Sequence, residues 1–442
     1  MASRGHFSSR LGFILAAAGS AVGLGNIWGF PTKVAENGGA AFILMYLVMA
    51  FLLAYPVLMA ELIIGRAKRA NMIDALHKIS GNFLGTLTGS VGAITVILIL
   101  AFYSIVAGWM TAYFVDGISS IFSLDFGWLT ADSISRNLVF TAVFLVFTCL
   151  VVIGGVSSGI EKWSVRLMPT LLILIISLII YVSFQSGAMK GWEKLLVPDF
   201  EKVFHPALML DAMGQAFFSM SLGVGTMLVY GSYVQQHESL PKLGASVALV
   251  DIGVAILAGM LIIPAMYVAL ENAVPIYADD GTLLSGPTLI FQVLPSLFSS
   301  IGYIGTVVAS GFFLLMVIAS LTSSISMLEV PVSFLVDNKG MQRPKATMLL
   351  TLVVFLISLV IVYNFDALFG LVITITTEYS QPLLGLVLCI FAGWVWNRNE
   401  ILQELQKGDA MAEQRIFWKV WPWYIKFICP GLIAINFYLS VF

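Results

Sequence analysis

Long apolar runs dominate the 442-residue chain, and its polar residues gather between the runs. A run needs about 20 residues to cross a hydrocarbon core ~30 Å thick. Runs of that order fall at 11–35, 41–65, 88–115, 137–154, 167–185, 208–235, 245–270, 300–333, 346–363, 367–396 and 422–441. The pattern predicts an all-α, polytopic membrane protein with eleven spanning helices and one membrane domain over 1–442. The segments 116–136, 186–205 and 272–298 carry Pro, Gly, Ser and acidic residues and predict loops with short helices. The N-terminal stretch MASRGHFSSRLGFILAAAGSA has the arginines, apolar core and small residues of a cleavable leader. Glycine-rich sequence and a second apolar run follow at once, so 11–35 reads as the first span.

Composition agrees with the pattern. Apolar residues make up 59% of the chain and charged residues 10%, far from the soluble range, and mean hydropathy is +0.97. A net charge of -2 provides no basic surface for nucleic acid. His6, His77, His205 and His237 are scattered without metal-ligand spacing. Cys149, Cys389 and Cys429 each lie in an apolar run and read as small buried hydrophobes. Charge does settle orientation. Lys33, Arg136, Lys190, Lys194 and Lys202 fall on one side, whereas Arg4, Arg10, Arg66, Lys68, Arg69, Arg343, Arg415 and many others fall on the opposite side. Basic residues concentrate on the cytoplasmic side, so the expectation is a cytoplasmic N-terminus and, with an odd number of spans, an external C-terminus.

Two spans are interrupted. GSAVGLGNIWGFP (19–31) breaks the first, and SMSLGVGTM (219–227) breaks the sixth. Each contains Gly-x-Gly, at Gly23–Gly25 and at Gly223–Gly225, and each opens a five-span block, 11–185 or 208–396. Five is odd, so the second block enters the membrane from the opposite side. Broken helices at corresponding positions of two inverted blocks mark a site near the membrane midplane. Freed carbonyls at a half-helix end suit a cation, and freed N–H groups at a half-helix start suit a carboxylate. Gly19-x-x-x-Gly23 also fits a helix-packing face, but packing alone does not explain the matching break in span six. A dinucleotide loop is excluded because no strand precedes Gly23-x-Gly25 and the third glycine is missing.

The segments RLGFILAAAGSAVGLGNIWGFPTKVAENGGAAF, GQAFFSMSLGVGTMLVYGSYV and ASLTSSISM resemble, in order, signature segments of the neurotransmitter:sodium symporter family. The likeness covers nearly the whole chain and is strongest to bacterial amino-acid members. It implies a leucine-transporter-like fold of two inverted five-helix repeats with helices 1 and 6 unwound, and a last helix at 422–441. It also implies a sodium-coupled symporter, not an enzyme, in a bacterial inner membrane, with sodium and a hydrophobic L-amino acid as its ligands.

By that resemblance the first sodium is held by Ala21, Asn26, Ser219, Asp251 and the substrate carboxylate, a hard-oxygen set suited to a small alkali cation. The second is held by Gly19, Val22, Ala319, Thr322 and Ser323. Without the resemblance, 322-TSS-324 reads as hydroxyls bonded back to the preceding turn. The same resemblance places Ala21, Leu24, Gly25, Ile99, Tyr103, Phe218, Ser219, Ser221, Val224, Ser323 and Met327 around the substrate. Tyr103 binds the carboxylate and Phe218 acts as a lid. Tyr103 read bare is a core or interfacial aromatic.

Acidic residues inside spans default to functional hypotheses, here Glu61, Asp251, Glu329 and Glu378. Bracing of a helix is the competing reading for Glu61 and Glu378. Arg4, Tyr233 and Asp337 match an inner gate. Gly29 stands where the family commonly has Arg, so the outer pair with Asp366 cannot form as usual. Lys33 is either its substitute or simply exposed at the mouth. Asp251 replaces the usual Asn and places a carboxylate near the first sodium, which implies chloride-independent transport; Ala255, where some chloride-independent members have an acid one turn later, departs from their pattern. Val224 and Met327 in the pocket imply a broad aliphatic and aromatic range. The alternative is an amino-acid sensor of the same fold that does not transport.

Overall fold

A computed structural model describes residues 5–124, 126–198, 200–203, 205–278, 282–300 and 302–441. Among them the chain is helical, with one isolated bridge between Tyr277 and Leu283 as its β pairing. Nine helices among the described residues are long and apolar enough to cross a membrane: Ala40–Lys68, Phe83–Ile121, Ile134–Ile153, Val156–Ser183, Leu240–Glu271, Tyr303–Lys339, Arg343–Tyr363, Phe365–Val395 and Ile416–Ser440. A tenth span is the pair Arg10–Ala21 and Gly25–Glu36, bent by 58° at its break. The predicted run 208–235 becomes Pro206–Ser219 and Thr226–Gly231, of 14 and 6 residues, each too short to cross alone.

Boundaries follow the apolar runs except where polar residues are buried in protein. The helix predicted from 167 begins at Val156 as a π-helical segment after Gly155, whose φ is +81°. Hydropathy misses this start because it includes Glu161, a buried carboxylate. Glu161 accepts hydrogen bonds from the Ser8 backbone N–H at 2.7 Å and from the Ser9 hydroxyl at 2.9 Å. Ser9 in turn caps Arg10–Ala21 by accepting from the Gly12 N–H at 2.9 Å. Arg10–Ala21 packs against 240–271, 303–339 and 156–183, with Ala16–Ala21 buried. It is therefore a structural core helix, as expected for a first span. The segment 186–205 holds the short helices Ala188–Leu196 and Phe200–Val203, and 272–298 holds Gly286–Phe298. Two further short helices, Met72–Ser80 and Arg398–Gln406, lie at the other end of the molecule. Cys149, Cys389 and Cys429 are buried free thiols.

The two interrupted helices touch each other, and nearby side chains satisfy their freed backbone groups. In Met220–Gly225 three residues have positive φ: Ser221 at +51°, Gly223 at +86° and Gly225 at +79°. A Cβ on Gly223 would overlap the Gln381 carbonyl, so glycine is required there by space as well as by dihedral. Glu61, fully buried on the 40–68 helix, accepts from the Gly223 N–H at 2.7 Å and the Leu228 N–H at 3.1 Å. It braces the second break, as one of its two sequence readings expected. Gln215 performs a similar task at the first break, donating to the Gly25 carbonyl at 2.8 Å. Glu378 differs: its side chain is exposed on the 365–395 helix.

Glu61→Ala leaves two buried N–H groups without an acceptor, at about 1–3 kcal/mol each. The expected outcome is a melting temperature in detergent several degrees below wild type, with a much smaller shift for Glu378→Ala. Equal shifts in the two variants, read by intrinsic fluorescence on heating, would remove Glu61 from this role.

Candidate functional site

Between the two breaks lies a cavity of about 50 Å³. Its lining includes Ala21, Leu24, Gly25, Ile99, Tyr103, Phe218, Ser219, Ser221, Val224, Ser323 and Met327, so all eleven residues expected around a substrate meet there. Gly23, Phe102 and Gln381 complete the wall. The cavity has room for a few water molecules only, so a larger ligand enters by displacing its walls. The Tyr103 hydroxyl is buried and has no hydrogen-bond partner among the described residues. A Cβ on Gly23 would stand 2.8 Å from that hydroxyl and 2.6 Å from Ser323 Oγ, so the close approach of the first break depends on glycine. Phe218 covers Gly25, where a Cβ would lie 3.0 Å from its ring, and is 38% exposed.

Two oxygen-rich clusters flank the cavity. In one, Asn26 Nδ2 donates to Ser219 Oγ at 2.9 Å, to Asp251 Oδ1 at 2.7 Å and to the Asp251 carbonyl at 3.2 Å. Ser219 Oγ donates to Asp251 Oδ2 at 2.8 Å, and Asn26 Oδ1 accepts from the Gly23 N–H at 3.2 Å. The sequence-predicted Asn26, Ser219 and Asp251 are thus one fully buried hydrogen-bonded group, with Ala21 beside it on the cavity wall. The other cluster joins the first break to the 303–339 helix. Ser323 Oγ donates to the Val22 carbonyl at 3.0 Å and the Gly19 carbonyl at 3.4 Å. Thr322 Oγ1 donates to the Ala319 carbonyl at 3.0 Å and the Ile318 carbonyl at 3.2 Å, the back-bonded arrangement that its bare sequence suggests. Carbonyl and hydroxyl oxygens with small steric demand are what a hard alkali cation needs. The residues present fit such an ion at both clusters.

Both ends of the path are closed. On the side of 286–298, Trp109 packs on Phe291, Phe365 and Phe369, with ring centroids 5.7, 5.8 and 5.9 Å apart. Beyond that layer is a cavity of about 610 Å³, lined in part by Trp109, Arg136, Phe291 and Asp366. Asp366 therefore lines the cavity beyond the aromatic layer, and of the two readings of Lys33 its substitution as the partner of Asp366 does not occur. Lys33 instead meets Asp211 at 3.2 Å and Glu36 at 3.3 Å, because it projects from the 25–36 half-helix toward the 206–219 half-helix. On the opposite side, the Phe7 N–H donates to the Tyr233 carbonyl at 3.1 Å, and Phe7 packs edge-on against Phe13, Tyr230 and Tyr233. The Tyr233 hydroxyl donates to Glu329 Oε1 at 2.6 Å, and Arg343 pairs with Glu329 Oε2 while donating to the Val152 carbonyl at 2.9 Å. Asp337 is met by Asn71 Nδ2 at 3.5 Å. Arg4, expected in the same gate, lies outside the described residues.

Sequence reasoning passed over Tyr46, Gln215, Gln381 and Arg343. Tyr46 donates to Ser219 Oγ at 3.2 Å and so supports the Asp251 cluster. A scan restricted to acids within spans misses the two glutamines; extending it to buried amides finds both. Arg343 carries no such signal, since it reads as one of many basic residues at a helix start.

The profile described as "Sodium:neurotransmitter symporter family" matches residues 4–133 and 125–442. An uncharacterized sodium-dependent transporter of Bacillus subtilis, YhdH, is 34% identical over 98% of this chain and 96% of its own length. The human sodium- and chloride-dependent GABA transporter 2 is 24% identical over 99% of this chain and 80% of its own. The crystal structure of MhsT in complex with L-phenylalanine superposes with a TM-score of 0.85 at 35% identity, covering 100% of both chains. This chain belongs to the sodium:neurotransmitter symporter family: it is a multi-pass, sodium-dependent membrane transporter and not an enzyme.

Thr322→Ala/Ser323→Ala removes two oxygens from the second cluster, together with the Ser323 donor to the Val22 and Gly19 carbonyls. Sodium-dependent substrate binding is expected to require roughly tenfold more sodium, the effect of about 1.4 kcal/mol, while the protein remains monodisperse on size exclusion. An unchanged sodium titration would exclude these residues as ligands.

Proposed function

We propose that this symporter carries neutral, hydrophobic L-amino acids, both aliphatic and aromatic, with two sodium ions and without a requirement for chloride. One observation carries the reading: the eleven residues expected to surround an amino acid line a single cavity, with an oxygen cluster on each flank. No Asp, Glu, Lys or Arg is in its described lining, so a charged side chain would be buried without a partner. The phenylalanine held by MhsT, a full-length structural relative, supports the same substrate class.

The chemistry is that of binding and release. Tyr103, whose buried hydroxyl lacks an acceptor among the described residues, donates to the substrate carboxylate. The N–H groups freed near Leu24 and Gly25 face the same group, and the ammonium meets carbonyls freed at the ends of the half-helices. A carboxylate oxygen completes the first sodium shell with Ala21, Asn26, Ser219 and Asp251. Asn26 turns its amide oxygen to the ion in place of its N–H. Because one ligand supplies part of the site for the other, each raises the other's affinity by the same factor. Gly19, Val22, Ala319, Thr322 and Ser323 hold the second ion and tie the first broken helix to 303–339.

Alternating access then exchanges the two closures, the aromatic layer at Trp109 and the Phe7–Tyr233–Glu329–Arg343 assembly. In this reading the inverted repeats are 11–185 and 208–396 within one transporter domain over 1–442, and the last helix lies outside both. The N-terminus is cytoplasmic, the C-terminus is external and the membrane is the bacterial cell membrane. Sodium-driven accumulation of labelled leucine or phenylalanine in proteoliposomes tests the reading directly. Saturable binding with no accumulation under any gradient would identify a sensor instead.

Asp251 supplies a fixed negative charge where a chloride-dependent relative needs an anion. Uptake in chloride-free buffer is expected to equal that in chloride, and Asp251→Asn to lose most uptake or to acquire an anion requirement. Full activity of that variant without chloride would refute this assignment.

Val224 leaves space at the far end of the cavity, and the unbranched Met327 can repack around different shapes. Apolar pockets discriminate by only about 1–3 kcal/mol per methylene, so Val, Leu, Phe, Tyr and Trp are all expected to compete for uptake. Val224→Phe refills the space and is expected to weaken Phe and Trp at least tenfold more than Leu. Equal losses for Leu and Trp in a competition assay would show that Val224 does not set the pocket's length.

A further inference from the structure

We propose that Gln381 reads the far end of the substrate side chain and favours aromatic amino acids whose ring carries a hydrogen-bonding group, a phenol or an indole N–H. This proposal rests on the amino-acid symport reading above.

Gln381 is the first residue of regular α-helix after the π-helical segment Thr374–Ser380. A π segment inserts an extra residue into the turn and rotates the helix beyond it, an arrangement frequent at functional sites. Two close approaches hold this part of the helix against the second break. The Gln381 carbonyl packs on Gly223, and the Phe217 ring occupies the space a side chain on Gly385 would fill. Val224 lies in that same unwound segment, and its short side chain leaves Gln381 on the cavity wall.

The Gln381 side chain is 3% exposed, lines the cavity and makes no hydrogen bond with any described residue. A buried amide with both its donor and its acceptor uncommitted is costly unless water or a ligand pairs with it. Behind it is a second cavity of about 140 Å³, and Phe218 and Gln381 line both spaces. A ring too large for the central 50 Å³ extends by displacing this partition, which brings its far edge to the Gln381 amide.

The physical preference depends on the group that replaces water at the amide. An apolar ring edge in that place leaves the amide unpaired. A phenol pairs with either end of the amide, and an indole N–H donates to its carbonyl. Sites that hydrogen-bond a substrate group discriminate strongly against analogues lacking it, whereas apolar walls do not. The neutral amide itself offers no countercharge; the acid that lines the second cavity is Glu378.

The test uses matched competitors against sodium-driven uptake of labelled leucine by the full-length protein in proteoliposomes. With wild type, tyrosine is expected to compete about tenfold better than 4-methylphenylalanine, and tryptophan about tenfold better than 1-methyltryptophan. In Gln381→Met both ratios are expected to fall to about one; the ratio is the readout because a general loss of activity does not move it. Equal competition by the members of each pair in wild type overturns the proposal, and so does a preference retained in Gln381→Met. The wild-type comparison decides the matter even where the variant does not fold. Absence of sodium-driven leucine uptake in wild type, by contrast, overturns the symport reading and this proposal together.

Discussion

A backbone N–H or C=O that leaves a helix inside a membrane must find a partner within the protein, since the hydrocarbon offers none. The structure of this symporter is arranged around two places where that requirement is most severe, Val22–Leu24 and Met220–Gly225. Glu61, Gln215, Asn26, Ser221 and Ser323 each bond to backbone groups at or beside these breaks. They come from different helices, so the breaks are held only in the assembled bundle. Two of them, Ser221 and Ser323, also line the cavity, so bracing of the breaks and the lining of the cavity overlap there.

The two oxygen clusters extend this logic from stability to the proposed ion sites. Within the closed protein, Asn26, Ser219 and Asp251 satisfy one another, and Ser323 satisfies the Gly19 and Val22 carbonyls. A cation entering either cluster would compete with these donors for the same oxygen lone pairs, so binding requires the Asn26 amide and the serine hydroxyls to turn. The Tyr103 hydroxyl and the Gln381 amide differ because no described residue bonds to them. A polar atom that the fold leaves unpaired beside a cavity points to a ligand more directly than one already satisfied.

Closure at the two ends rests on different chemistry. The aromatic layer around Trp109 is held by packing, which is non-directional and gives way to a range of rearrangements. At the other end, the buried Glu329 accepts from the Tyr233 hydroxyl and pairs with the partly buried Arg343, and Phe7 packs edge-on against Tyr233. Removal of Arg343 would leave the buried Glu329 carboxylate without its countercharge, which is costly.

What the sequence determined by itself was whatever depends on local chemistry: the apolar runs set the spans, and Gly-x-Gly in two of them set the breaks. Glutamine, serine and acid in apolar surroundings can also be found by inspection, because water-free surroundings make each one costly. The family likeness extended this to the eleven cavity residues and both oxygen clusters. Partnership was not legible. Lys33 could reach several acids from its half-helix, and only the placement of 206–219 selected Asp211 over Asp366. The polar start of the 156–183 helix lies outside the apolar run 167–185, and donors from Ser8 and Ser9 accommodate its buried Glu161. Gln381 became part of the cavity only because Gly223 and Gly385 let two distant segments touch. Hydropathy is a property of one residue and its neighbours along the chain, whereas a hydrogen bond or an ion pair belongs to two residues that the tertiary structure alone brings together.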